Sequence, residues 1–294
     1  MLGRCAMGIW SREEFLSSIE IINVLPAWAL AAIFIGAAIV FSVGLQLLAR
    51  WRFGTDRLKL NHEVAGFKYS VVGVAYAVLL AFVVFGVWSE LDRTEQAVLT
   101  EAERFYNLHR TSFNFPDETG EKMRQALIAY AIEVRDNDWP MMENGYFGSK
   151  SAADAFTRLS FAVGQTQPEN IGLLPSIIHA TNLMQEIADL RLGRLADVDG
   201  HMTPTIWGVL LLGALVTLSY PAFFATRDIG AQVLMTGGLA AIIGAILFLT
   251  INLNFPFSGP DRLTPGPIEN VIQRMLAEDR GGGGQPLFRQ APDP

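Results

Sequence analysis

One cysteine, Cys5, stands in 294 residues, so no intrachain disulfide can form and the redox compartment stays open. Charge is scarce as well. Only 17% of residues are charged against 51% hydrophobic, too apolar a balance for an ordinary soluble chain of this length. The four histidines, His62, His109, His179 and His201, are scattered, and each reads as a surface or interface group. No Cys and His group has zinc spacing, so no metal site is expected. A nucleophile beside its base is missing, and so is a phosphate cradle. No catalytic residue and no cofactor are expected, and the chain reads as non-enzymatic. Asp197-Val198-Asp199-Gly200 starts like a calcium loop but lacks the remaining ligands and the closing Glu. It reads as a loop leading into an apolar run. No strand alternation and no internal repeat is visible.

What is present in quantity is apolar sequence. A helix crosses a bilayer with about 20 predominantly apolar residues. Leu25 to Ala49, Val64 to Trp88, Ile206 to Thr226 and Ile229 to Leu253 all meet that length. Trp28, Trp51, Trp88 and Trp207 stand near their ends, where amphipathic rings favour the interface. The expected fold is all-α: an integral membrane protein with four transmembrane helices and a helical bundle inserted between the second and third. Its divisions are an amphipathic lead-in at 1–24, a first transmembrane pair at 25–88 and a water-facing helical domain at 89–204. A second pair follows at 205–253, then a C-terminal segment at 254–280. Gly281 to Pro294 reads as a disordered tail whose glycines are linker.

Within 89–204, Leu91, Val98, Ala102 and Phe105 recur at helical spacing. Pro116 and Asp117 open a second helix carrying Met123, Leu127, Tyr130 and Val134, which Pro140 is expected to end. Ser149 is the expected N-cap of a short helix through Ala162, and Leu173 to Ala196 a longer one. This stretch holds 18 acidic and 10 basic side chains, a balance of −8 within a chain total of −7. Such a surface repels nucleic acid and concentrates cations. Arg50, Arg52, Arg57 and Lys59 in one loop and Arg227 in another share one side of the membrane. By the positive-inside rule that side is cytoplasmic, which places the large domain outside.

The second span carries two adjacent stripes. At about 100° per residue, Gly66, Ser70, Gly73, Ala77 and Ala81 share one face, where small residues let helix backbones approach. Beside them stand Phe67, Val74, Val78, Phe82 and Phe85. This second stripe is either a hydrophobic constriction that gates by excluding water, or a contact with lipid or a neighbouring helix. No Asp, Glu or Arg lies in the middle of any span. That counts against a pump or a proton-driven stator, which depend on such groups, and less against a passive pore.

The stretch Asn61 to Trp88, NHEVAGFKYSVVGVAYAVLLAFVVFGVW, resembles the signature of the bacterial bestrophin-like domain-of-unknown-function family. The resemblance continues through Glu101-Ala102, Tyr130, Asp138-Trp139-Pro140, Arg191 and Arg194, Pro204 to Gly213, and Leu253 to Gly259. Two departures are Asp138, where a Glu is expected, and Asn254, where an acidic residue is common. Bestrophins are pentameric anion channels with an apolar neck on the second span. The resemblance therefore implies a homo-oligomer in the bacterial cytoplasmic (inner) membrane, with the lipid bilayer and inorganic ions as its partners. It favours the Phe67 to Phe85 stripe as a gate, with Val74, Val78, Phe82 and Phe85 as the expected constriction. It also implies a cytoplasmic domain, against the charge count, and the acidic domain argues against carrying over anion selectivity. Glu101, Arg191 and Arg194 are expected to form ion pairs in the bundle. The competing expectation is a non-conducting membrane scaffold or sensor whose helical domain binds a partner.

Overall fold

The computed structural model of the chain describes residues 19, 23–54, 62–165, 171–224, 226 and 228–281. Most of the expected lead-in, the tail beyond Gly281, and Arg57, Lys59 and Arg227 lie outside these residues. Every regular element among the described residues is helical. In chain order the α-helices are α1 (Ala27–Phe53), α2 (His62–Ser112), α3 (Asp117–Glu133), α4 (Trp139–Glu143), α5 (Lys150–Gly164), α6 (Leu174–Ala196), α7 (Pro204–Ser219), α8 (Ile229–Asn254) and α9 (Gly266–Gly281).

Among the described residues four helical stretches are long and apolar enough to cross a membrane. Two differ from expectation in extent. The first span continues to Phe53, past Ala49. The third leaves α geometry at Ser219 and ends in a 3₁₀ turn, Tyr220–Phe223, because Pro221 supplies no N–H to continue the ladder.

The chain divides into two compact units: Met1–Arg93 with Asp199–Arg262, and Thr94–Val198 with Leu263–Pro294. Helix α2 contributes to both.

The first unit packs α1, residues 62–93 of α2, α7 and α8 around Tyr76, Leu80, Leu210, Leu218, Ala240 and Ile243. In lipid, polar groups need internal partners. Tyr76 Oη donates to the Leu210 carbonyl at 3.0 Å and Ser42 Oγ to that of Leu218 at 2.7 Å. Arg50 Nη1 donates to the Thr226 carbonyl at 2.9 Å and to Gln232 Oε1 at 3.1 Å, so this cation, expected in a loop but placed in the last turn of α1, is tied into the fold.

Close helix approach rests on glycines other than the expected ones. A Cβ at Gly244 on α8 would lie 2.9 Å from the Ile35 Cα on α1, and one at Gly213 on α7 would run into the Tyr76 ring. Gly213→Ala is therefore expected to cost about 1–3 kcal/mol through overpacking. A thermal melt of the detergent-purified variant measures this, and an unchanged midpoint would contradict the packing.

The turn before α7 is also fixed by backbone approach. Gly200 has φ +78°, and a Cβ there would lie 2.7 Å from the Asn254 carbonyl oxygen. Asn254 Oδ1 accepts from the N–H groups of His201 at 3.2 Å and Met202 at 3.0 Å, joining the end of α8 to the approach of α7. An amide does this without an acidic side chain.

In the second unit, α3 packs on α5, α5 on α6, and α9 on α3. The C-terminal helix, which the sequence sets apart at 254–280, thus joins this unit from Leu263. Its core holds Phe105, Leu108, Met123, Leu127, Leu159, Ile187, Ile268 and Met275. Ser149 caps α5, its Oγ accepting from the Ala152 N–H at 3.1 Å. Pro140 does not end the second helix of this unit. The chain passes through a π turn, Val134–Asp138, and remains helical to Glu143. The wider turn makes room for the proline ring, which would otherwise clash with the preceding turn.

Candidate functional site

The first candidate is the outward face of α2 in the membrane unit. Tyr76, Leu80 and Val87 are its buried positions there, clustered within about 40° of arc. Val74, Val78, Phe82 and Phe85 lie roughly on the opposite side of the helix. Their exposures are 65%, 50%, 72% and 67%, so none of the described residues covers them. Phe67 and Val71 extend the same face. Val71 fits the spacing, although the sequence reading passes over it.

The small residues beside this stripe are also uncovered. A Cβ at Gly66 or Gly73 would meet nothing within 4 Å, and Ser70, Ala77 and Ala81 are exposed. Within one chain this stripe packs no helix. Ser70 Oγ turns back to the Gly66 carbonyl at 3.1 Å.

The second candidate is a buried ionic cluster in the second unit. Residues 94–112 of α2 present Glu101 inward on the same stripe as Val98 and Phe105, and α6 brings Arg194. Both side chains are almost wholly inaccessible, as is Asp138. Arg194 Nε donates to Glu101 Oε2 at 2.7 Å and Nη2 to Oε1 at 3.3 Å, a two-point clasp. The same Nη2 lies 3.5 Å from Asp138 Oδ2, and Nη1 lies 3.2 Å from Met142 Sδ. The guanidinium also stands 5.8 Å from the Trp139 ring centroid. Burial pulls the Arg194 pKa down, but Glu101, Tyr130 and Asp138 outweigh it and hold the group cationic.

Arg191 takes a different position from Arg194. Its guanidinium lies 5.2 Å over the Phe156 ring, which in turn meets the Tyr130 ring at 5.3 Å. The π turn delivers Asp138 to the cluster. Its Oδ1 accepts from the Ser149 N–H at 2.6 Å and the Ser149 Oγ–H at 3.0 Å, fixing the turn before α5. These contacts clamp helices and hold a charge; they do not set a nucleophile beside a base. Among the described residues no group of three or more His, Cys, Asp or Glu side chains could hold a metal ion.

Among the described residues one histidine departs from expectation. His109 is wholly buried, at the end of α2, rather than a surface group.

Four apolar crossings joined to a helical unit with a buried ionic core define a multi-pass helical membrane protein. The family follows from comparison. A model of the Bestrophin-like domain matches residues 36–268, and the chain belongs to that family. Solved structures share the fold. One variant of a bacterial bestrophin homolog from Klebsiella pneumoniae matches with TM-score 0.57 and 15% identity, covering 84% of this chain and 99% of its own. Another matches at TM-score 0.58 and 16% identity, with 84% and 99% covered. A further solved membrane protein matches at TM-score 0.59 and 13% identity, covering 84% and 98%. No curated protein matches.

Proposed function

We propose that the chain is a subunit of an oligomeric, passive ion channel whose α2 helices surround a central pore. The observation that carries this reading is the apolar face of α2, turned away from the chain's own membrane core. Family membership and the bestrophin-like fold support it. In the proposed assembly Val74, Val78, Phe82 and Phe85 form the constriction, and water is excluded until the helices separate. Gly66, Ser70, Gly73, Ala77 and Ala81 face the neighbouring copy, where small side chains allow close approach. The second unit faces water on one side of the membrane, and its acidic surface enriches cations at the mouth.

Ion flux into liposomes carrying the purified protein tests the reading. Flux above empty vesicles supports a channel. Silence in properly inserted protein, together with a stoichiometric partner retained by the second unit, supports a scaffold or sensor instead.

The small-residue stripe gives a separate expectation. Gly73→Val meets open space in one chain, so folding persists while assembly weakens. Size-exclusion light scattering then shows a shift to smaller species, and an unchanged assembly removes the stripe from the interface.

The charge count favours an outward-facing second unit. Ser151→Cys in a Cys5→Ser background, tested with an impermeant thiol reagent on intact cells, decides it. Labelling supports the outward orientation, and labelling only after lysis reverses it.

A further inference from the structure

Beyond conduction, the second unit holds a second buried polar arrangement, at the end of α9. Glu278 and Asp279 occupy the last turn of that helix, the end where the macrodipole disfavours negative charge. They are held from α2 and α3. Tyr106 Oη donates to Glu278 Oε1 at 2.6 Å. His109 Nε2 lies 3.2 Å from Asp279 Oδ1, and its Nδ1 lies 3.4 Å from Glu278 Oε2 without a hydrogen bond. Arg124 Nε stands 3.4 Å from Asp279 Oδ1, and its guanidinium lies 4.4 Å over the Phe113 ring. The Phe113 ring meets the His109 ring nearly edge-on at 5.3 Å.

We propose that the last turn of α9 is an acid-released latch, closed while His109 is neutral and opened when that ring takes a second proton. In the closed state the Nε2–H donates to Asp279, and the imidazole is sealed beneath the turn. A second proton would place a full charge in a ring with no access to water. Both facing carboxylates are already engaged, Glu278 by Tyr106 and Asp279 by Arg124, and both are about a third exposed, at 31%. Arg124 adds a repelling charge from α3. Arg110 on α2 and Arg274 on α9 act on Tyr106, and Arg280 stands in the same last turn of α9.

Burial accordingly lowers the His109 pKa, outweighing the two carboxylates. The sign follows. A released ring titrates near the ordinary value of about 6.5, above the closed one. Latch stability is therefore full above that pH and is lost progressively as pH falls below it. In the sequence His109 stands 21 positions beyond Trp88, past the apolar run that ends there. At the other end of α9, Glu269 pairs with Arg135, which has no comparable titration, so opening begins from the Gly281 end.

Hydrogen exchange of the full-length protein in detergent tests this at pH 7.5 and 5.5, corrected for the intrinsic chemical rate. Amides of 276–281 should lose protection by about threefold or more on acidification, while those of 117–133 should hold. His109→Gln keeps an amide donor toward Asp279 and cannot titrate, so its protection should not respond to pH. Unchanged or rising protection in the wild type contradicts the latch, as does an equal loss in the variant. Should the variant not fold, histidine ring carbon resonances of the wild type decide. A ring that titrates below the ordinary value of about 6.5 is expected, and the absence of any such ring overturns the proposal.

Discussion

Arg194→Met is expected to be the most damaging single substitution in the second unit, at about 3–5 kcal/mol. The reason is arithmetic within the cluster. Glu101, Asp138 and Arg194 are all buried, and among the described residues the guanidinium is the cation in direct contact with both carboxylates. Removing it leaves two carboxylates without the partner that offsets their lost hydration. Glu101→Gln costs less, because Arg194 and Asp138 remain as a neutral pair at 3.5 Å. Asp138→Asn costs least, about 1 kcal/mol. The main clasp survives, and an amide oxygen can still accept from Ser149. Thermal melts of the purified variants rank them, with Arg194→Met lower than wild type by about 10 °C or more. A double-mutant cycle for Glu101 and Arg194 should give about 1–3 kcal/mol of coupling. Absence of coupling, or equal losses for all three variants, contradicts the cluster as the keystone of this unit.

Replacing Phe82 or Phe85 by Ala is expected to raise ion flux severalfold in reconstituted protein. A dry constriction resists ions through its width and its lack of polar partners, and removing a phenyl ring relaxes both. Phe41→Ala supplies the control. That ring is also exposed, on α1, so its removal changes apolar surface without touching α2. Equal flux in wild type and both α2 variants, with expression and assembly intact, counts heavily against the neck. A rise in the Phe41 variant as well would indicate general leak instead.

The sequence is legible where one element alone carries the signal. The crossings announce themselves through apolar length, and the α2 stripes through a spacing that depends on helix geometry only. Partnerships across the chain are harder to read. Gly66 and Gly73 look like packing residues, yet Gly213 and Gly244 receive the close contacts within one chain, because the fit depends on the knob opposite each gap. Glu101 and Arg194 are flagged by resemblance, whereas the arrival of Asp138 depends on a π turn that Pro140 only hints at. His109 looks scattered because its acidic partners lie about 170 residues further on. Asn254 is readable as a hydrogen-bonding group at a helix end, but its two backbone donors are not.

The central claim is that copies of this chain surround a pore with α2 facing the axis. Electron microscopy of the detergent-purified protein, resolving oligomeric state and the helices around any central axis, tests it most directly. The account predicts a symmetric ring with Val74, Val78, Phe82 and Phe85 lining an axial opening. A monomer, a dimer without an opening, or a ring with this face turned to lipid would contradict it.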